Sequence, residues 1–108
     1  LGARGLRAGS FIDVGCADGY HGLAVRAAGV LPGADIVNID ANPVYEPSLR
    51  RIQAAIGGHY RICGVADATG TLALHTGAHP YWASAAPDGD PYWETVNGLR
   101  GTPTTVPC

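Results

Sequence analysis

The sequence predicts an α/β fold, with parallel strands joined by crossover helices and a β-hairpin after the third strand. Three observations lead to it. Short apolar runs at 11–14, 36–40 and 60–65 alternate with apolar residues at helical spacing over 19–28 and 45–56. Glycine, proline and asparagine fall between these segments. The resulting order β-α-β-α-β calls for a parallel sheet with right-handed crossovers.

Phe11-Ile12-Asp13-Val14 stops at glycine and reads as a buried parallel strand. A small-residue turn follows, Gly15-Cys16-Ala17-Asp18-Gly19. Tyr20, Leu23, Ala24, Ala27 and Ala28 then recur at helical spacing, with Asp18 as candidate N-cap. Gly29 and Pro32-Gly33 end that helix. Ile36 to Asp40 is the second strand. Asn42-Pro43 opens the second helix, with Asn as cap and Pro at the first helical position, although Pro47 suits a start one turn later. Its apolar face is Tyr45, Leu49, Ile52 and Ile56, and Gly57-Gly58 closes it. Tyr60 to Val65 is the third strand. Asp67-Ala68-Thr69-Gly70 makes a turn, and Thr71 to His75 is a fourth, hairpin-paired strand.

The 108 residues make one domain or a piece of a larger one, and a chain of this length buries roughly two thirds of its unfolded surface. Residues 76–105 form a loop-rich segment, with both Trp and two of the five Tyr. Hydrophobic residues at 46%, charged residues at 15% and a mean hydropathy of +0.07 exclude a disordered charged segment. A net charge of −2 argues against a nucleic-acid binder, which would carry a basic stripe. No apolar run approaches the roughly 20 residues of a membrane span, and no signal-peptide core follows the N-terminus. Cys16, Cys63 and Cys108 are too few and too scattered for a disulfide framework, and no CxxC pair suggests zinc. Their spacing suits a reducing compartment, the cytoplasm. A chain that begins at Leu1 without Met reads as processed or as a fragment.

Ligands of parallel sheets bind beyond the carboxyl ends of the strands, where Asp13–Gly15, Asp40 and Asp67 fall. In the first of these sites, glycine lets a ligand approach the backbone, and the helix start offers free N–H groups. The spacing Gly15-x-Ala17-x-Gly19 is one residue shorter than the dinucleotide pattern. With Asp13 just before it, it suits S-adenosylmethionine: the acid matches the ammonium and sulfonium, and the helix start matches the carboxylate. An ordinary tight βα turn is the plainer alternative. Asp40 stands at the distance expected of an acid that accepts from both ribose hydroxyls, or it is a helix-start charge. Asp67 either accepts from an adenine amino group or is a turn residue, with equal weight. His21, His59, His75 and His79 lack metal-ligand spacing and read as solvated or loop residues. Cys16 has no histidine beside it and reads as a small packing residue. Tyr81, Trp82, Tyr92 and Trp93 are loop anchors or, less readily, a substrate cage.

Three blocks together, Phe11-Ile-Asp-Val-Gly-Cys-Ala-Asp-Gly-Tyr20, Ile39-Asp-Ala-Asn-Pro43 and Val65-Ala-Asp-Ala-Thr-Gly-Thr-Leu-Ala-Leu74, resemble the FkbM family of S-adenosylmethionine-dependent methyltransferases. The resemblance covers about residues 6–75, with a weaker match at Thr105-Val106-Pro107. The first block is shared by many class I methyltransferases. The Asn-Pro and the Asp-x-x-Gly-Thr hairpin favour this family. It implies a Rossmann-like three-layer sandwich of the class I methyltransferase type, here partial. It also implies a cofactor site of Asp13, Gly15, Cys16, Ala17, Gly19, Asp40, Ala41 and Asp67, with no metal. The family usually has Asn where this chain has Ala17, and Glu-Pro where it has Asp40-Ala41. Asp40 keeps the carboxylate with a shorter reach, and Ala17 lacks one polar contact. Family members continue into further strands that nothing here matches, so the chain looks like a truncated methyltransferase carrying most of the cofactor half.

The expected activity is methyl transfer to an oxygen of a small molecule or sugar, which depends on alignment more than on acid–base groups. No catalytic residue can be named. A binding-only or inactive fragment is the alternative, and an NAD-dependent oxidoreductase a weaker one. No nucleic-acid or membrane partner is expected. The first strand belongs in the middle of a sheet, and an open apolar edge there would invite self-association.

Overall fold

A computed structural model describes residues 7–75 and 104–108. Three strands, β1 (Ser10–Val14), β2 (Asp35–Asp40) and β3 (His59–Ile62), form a parallel sheet in the order β1-β2-β3. Ile12 pairs with Val37 and Val14 with Ile39; Asn38 pairs with Tyr60 and Asp40 with Ile62. Helix α1 (Tyr20–Ala28) connects the first two strands. A 3-10 turn (Pro43–Tyr45) and helix α2 (Glu46–Ile56) connect the second and third. A separate antiparallel pair is made by β4 (Thr71–Leu74) and β5 (Thr104–Pro107).

Asn42 and Pro43 open the 3-10 turn rather than α2: Asn42 Oδ1 accepts from the Val44 amide at 3.2 Å. Helix α2 itself starts one turn later, as Pro47 suggested; its N-cap is Tyr45, without a side-chain hydrogen bond, and Pro47 is tolerated because it lies in the first turn. Leu49 is 1% exposed, Ile52 and Ile56 are half-buried, and Arg50, Arg51 and Gln53 are exposed, as the periodicity predicts. At α1 the expectation needs correction. The N-cap is Gly19, at φ 85°, without a side-chain hydrogen bond, and not Asp18. The predicted apolar face is also wrong: Tyr20, Ala24, Ala27 and Ala28 are exposed, and of that face only Leu23 is half-buried. Gly22 is the buried residue, with Leu23, Val25 and Arg26 half-buried. A glycine permits the closest helix–sheet approach, and a stripe of alanines offers little area to oppose that choice.

Both helices lie on one sheet face. Gly22 meets Ile36 and Asn38 of β2. Leu49 clusters with Cys16 and Tyr45, with Ala17, Tyr60 and Ile62 packed against them. Successive crossovers that advance in one direction with one hand place their helices on the same side. The other face carries Ile12 and Val14, 60% and 59% exposed, and the half-buried Val37 and Ile39. Among the described residues the arrangement therefore has two layers rather than three. It follows that β1 is not buried: its residues alternate between exposed and half-buried, and it is the outer strand.

The third strand is shorter than predicted. Cys63 still donates to the Asp40 carbonyl at 3.0 Å, but the Gly64 amide turns to the Pro107 carbonyl at 2.7 Å. That change of partner ends β3 at Ile62. The antiparallel partner of β4 is accordingly β5 and not a strand across the 67–70 turn, with Leu74 opposite Thr104 and Leu72 opposite Val106. Val106 is 2% exposed and Leu74 4%. The aromatic residues Tyr81, Trp82, Tyr92 and Trp93, and His79, lie outside the described residues.

Candidate functional site

A cleft of about 360 Å³ opens over the carboxyl ends of the three parallel strands. This is within the size range of small-molecule sites. Val14 and Gly15 reach it from β1, Ile39 and Asp40 from β2, and Cys63 to Val65 from the chain just beyond β3. Ala17, Ala41, Asn42, Tyr45 and Leu74 complete the lining. Val14, Ile39, Val65 and Leu74 give the lining apolar surface, and Asp40 gives it a carboxylate.

That carboxylate is tied into the backbone. Asp40 Oδ2 accepts from the Ala17 amide at 2.9 Å, and Oδ1 accepts from the Asn42 amide at 2.8 Å. A carboxylate has about four lone-pair positions, so each oxygen keeps capacity for a second donor. Ala17 has φ 52°, and among the described residues it alone combines a positive φ with a side chain. This conformation favours glycine or asparagine.

The glycine turn offers less to an anion than its sequence suggests. The Gly15 and Cys16 amides both donate to the Ile39 carbonyl, at 2.8 and 3.1 Å. The Gly19 amide donates to the Cys16 carbonyl at 2.9 Å. With Ala17 on Asp40, the amides of residues 15, 16, 17 and 19 already have partners within the chain, so a phosphate cradle of the dinucleotide type is not what this turn presents. Gly15, at φ 77°, has open space where a β-carbon would stand, so its backbone lies bare to the cleft.

Of the residues singled out from sequence, Gly15, Ala17, Asp40 and Ala41 line the cleft. Cys16 and Gly19 are buried and do not line it. Cys16 is 4% exposed. A β-carbon on Gly19 would meet Leu49 Cδ2 at 2.9 Å. Burial, with the Asp40 and Asp13 carboxylates adding to it, pushes the Cys16 thiol up to about 12. It therefore stays protonated, in keeping with a packing role. Asp13 Oδ2 lies 3.3 Å from His21 Nδ1 and does not line the cleft. Asp67 is exposed in the bend at 67–70 and is outside the lining. Sequence reasoning passed over Asn42 and Cys63 as site residues. Each lies one or two positions past a strand end, the same signal that selected Asp40.

Among the described residues no group of three His, Cys, Asp or Glu is placed to hold a metal ion, and no helix is long and apolar enough to cross a membrane. No protein-family model matches the chain, and no match was found among curated proteins or solved structures.

Proposed function

We propose that the cleft binds S-adenosylmethionine, and that the chain is the cofactor-binding part of a class I, Rossmann-like methyltransferase of the FkbM type acting on a hydroxyl of a small molecule or sugar. One observation carries the reading: the Asp40 carboxylate stands at the end of β2 in a cleft whose glycine turn has its amides already engaged. Such a site favours a ligand with hydroxyl donors and positive charge over one with phosphates. The accepting Asp40 carboxylate fits the ribose diol, the ammonium and the sulfonium of this cofactor, whose own carboxylate is left to the start of α1 rather than to the turn. It does not fit a pyrophosphate, which argues against NAD.

When bound, the cofactor supplies a methyl group activated by the sulfonium. The chain's own residues bind and orient it. Asp40 accepts from the ribose hydroxyls with its remaining lone pairs. Ile39 and Val65 offer apolar surface to a base, and the bare Gly15 backbone permits close approach. The free thiols of Cys16, Cys63 and Cys108 support a reducing, cytoplasmic setting.

Titration calorimetry with S-adenosylmethionine, its demethylated product and NAD tests the proposal. Binding of the first two and not the third is expected. Asp40→Ala should weaken binding by about 1–3 kcal/mol, since two hydroxyls lose a charged acceptor. Tight NAD binding, or an unaffected Asp40→Ala variant, refutes it. Binding without turnover on any hydroxyl acceptor selects the binding-only reading.

A further inference from the structure

The turn at 15–19 is held in an unfavourable shape by a residue far from it in sequence. Ala17 sits in the left-handed region, at φ 52°, where its β-carbon crowds the backbone and where glycine or asparagine is the usual occupant. Nothing in Cys16-Ala17-Asp18 makes that conformation favourable locally, as a glycine or asparagine at 17 would. The Ala17 amide reaches 23 positions along the chain to Asp40 Oδ2, and the opposite oxygen of the same carboxylate takes the Asn42 amide. Both bonds are part-buried. Ala17, Asp40 and Asn42 all line the cleft.

We propose that Asp40 is the positioning residue of the cleft: its carboxylate holds Ala17 left-handed and the Asn42 turn in place, so that the cleft has its shape before any ligand arrives. The inference does not depend on which ligand binds, because each of its contacts is made by the chain alone. It gives Asp40 a second task beside accepting from a ligand. A ligand donor would meet a carboxylate already fixed by two amides, with its orientation settled in advance.

Amide hydrogen exchange on the ligand-free protein tests this, read residue by residue by NMR. In the parent, the Ala17 and Asn42 amides should exchange at least tenfold more slowly than open turns. In Asp40→Asn, which keeps the size but cannot accept on both sides, at least one of the two should lose that protection. The deciding readout is Gly19. Its amide donates to the Cys16 carbonyl across the turn, and Asp40 does not touch it. If Asp40 holds the turn's shape, Asp40→Asn should speed Gly19 exchange at least tenfold. In an Ala17→Gly background the same substitution should leave Gly19 protected, because glycine keeps the left-handed shape unaided. The amides of the β1–β2 pairing should be unchanged throughout. Unprotected Ala17 and Asn42 amides in the parent overturn the proposal. So does a Gly19 amide that ignores Asp40→Asn, or a rise in exchange that spreads equally to β1 and β2.

Discussion

Gly22 of α1 lies so close to Ile36 of β2 that a β-carbon on it would stand 2.8 Å from Ile36 Cγ2. Ile36 is 1% exposed and cannot swing aside into solvent. Two effects oppose each other at this position. Alanine is favoured over glycine inside a helix by about 1 kcal/mol. Overpacking a well-filled contact costs about 1–3 kcal/mol. The clash prevails because the atom it meets is buried, so Gly22→Ala should lower stability by up to about 2 kcal/mol and Gly22→Val by more. Urea unfolding measures the difference. A Gly22→Ala protein more stable than its parent would show that α1 does not rest on β2 in this way.

Alkaline pH should weaken the fold through Cys16. In the unfolded chain this thiol ionises near 9, and in the folded protein near 12. Between those values only the unfolded state gives up the proton. The contribution is therefore fully present below about pH 9 and is lost as the pH rises toward 12, with a slope of up to about 1.4 kcal/mol per pH unit. Denaturation midpoints at about pH 8, 10 and 11 should fall in the parent and fall less steeply in Cys16→Ala. Parallel curves for the two proteins would contradict the assignment.

Cys63 offers a direct report on the cleft. It is half-buried and lines the cavity, whereas Cys16 is outside the lining at 4% exposure. Brief alkylation of the native protein should label Cys63 and spare Cys16. S-adenosylmethionine at saturating concentration should slow Cys63 labelling severalfold, and NAD should not. Mass mapping of the labelled peptides gives the answer. Equal labelling with and without S-adenosylmethionine would place that ligand elsewhere or nowhere.

The sheet face that no described element covers should govern association. Ile12 and Val14 project from the outer strand of the parallel sheet at 60% and 59% exposure. Apolar residues beside an unpaired strand edge promote pairing with another copy. Sedimentation of the 108-residue chain should show concentration-dependent self-association, and Ile12→Lys with Val14→Thr should reduce it. A monodisperse monomer at all concentrations would remove this expectation.

The elements whose signals are local were readable in the sequence. Asn42-Pro43 announced its own cap, and the Leu49 stripe of α2 faced the way its period required. The alternation of strands and helices was enough to foresee the parallel pairing of β1 with β2. Features set by distant partners were not readable. The inward face of α1 is decided by Ile36 and Asn38 beneath Gly22, and a pattern of alanines cannot reveal them. The end of β3 is decided by the Pro107 carbonyl, which draws off the Gly64 amide. In the candidate site, Asp40 and Gly15 were evident from their positions at strand ends. The engagement of the turn amides was not, because the Ile39 carbonyl and the Asp40 carboxylate that accept from them lie on another strand.

The partnership of β4 with β5 also sets an order of events during synthesis. The parallel sheet and both helices are contained in the chain up to Ile62, and their contacts connect neighbouring segments. Leu74, which lines the cleft, pairs with Thr104. A ribosome must therefore deliver the chain through Thr104 before Leu74 has its partner. During that interval the nascent cleft lacks a fixed Leu74 in its lining. In a growing chain, binding competence should lag behind the appearance of secondary structure.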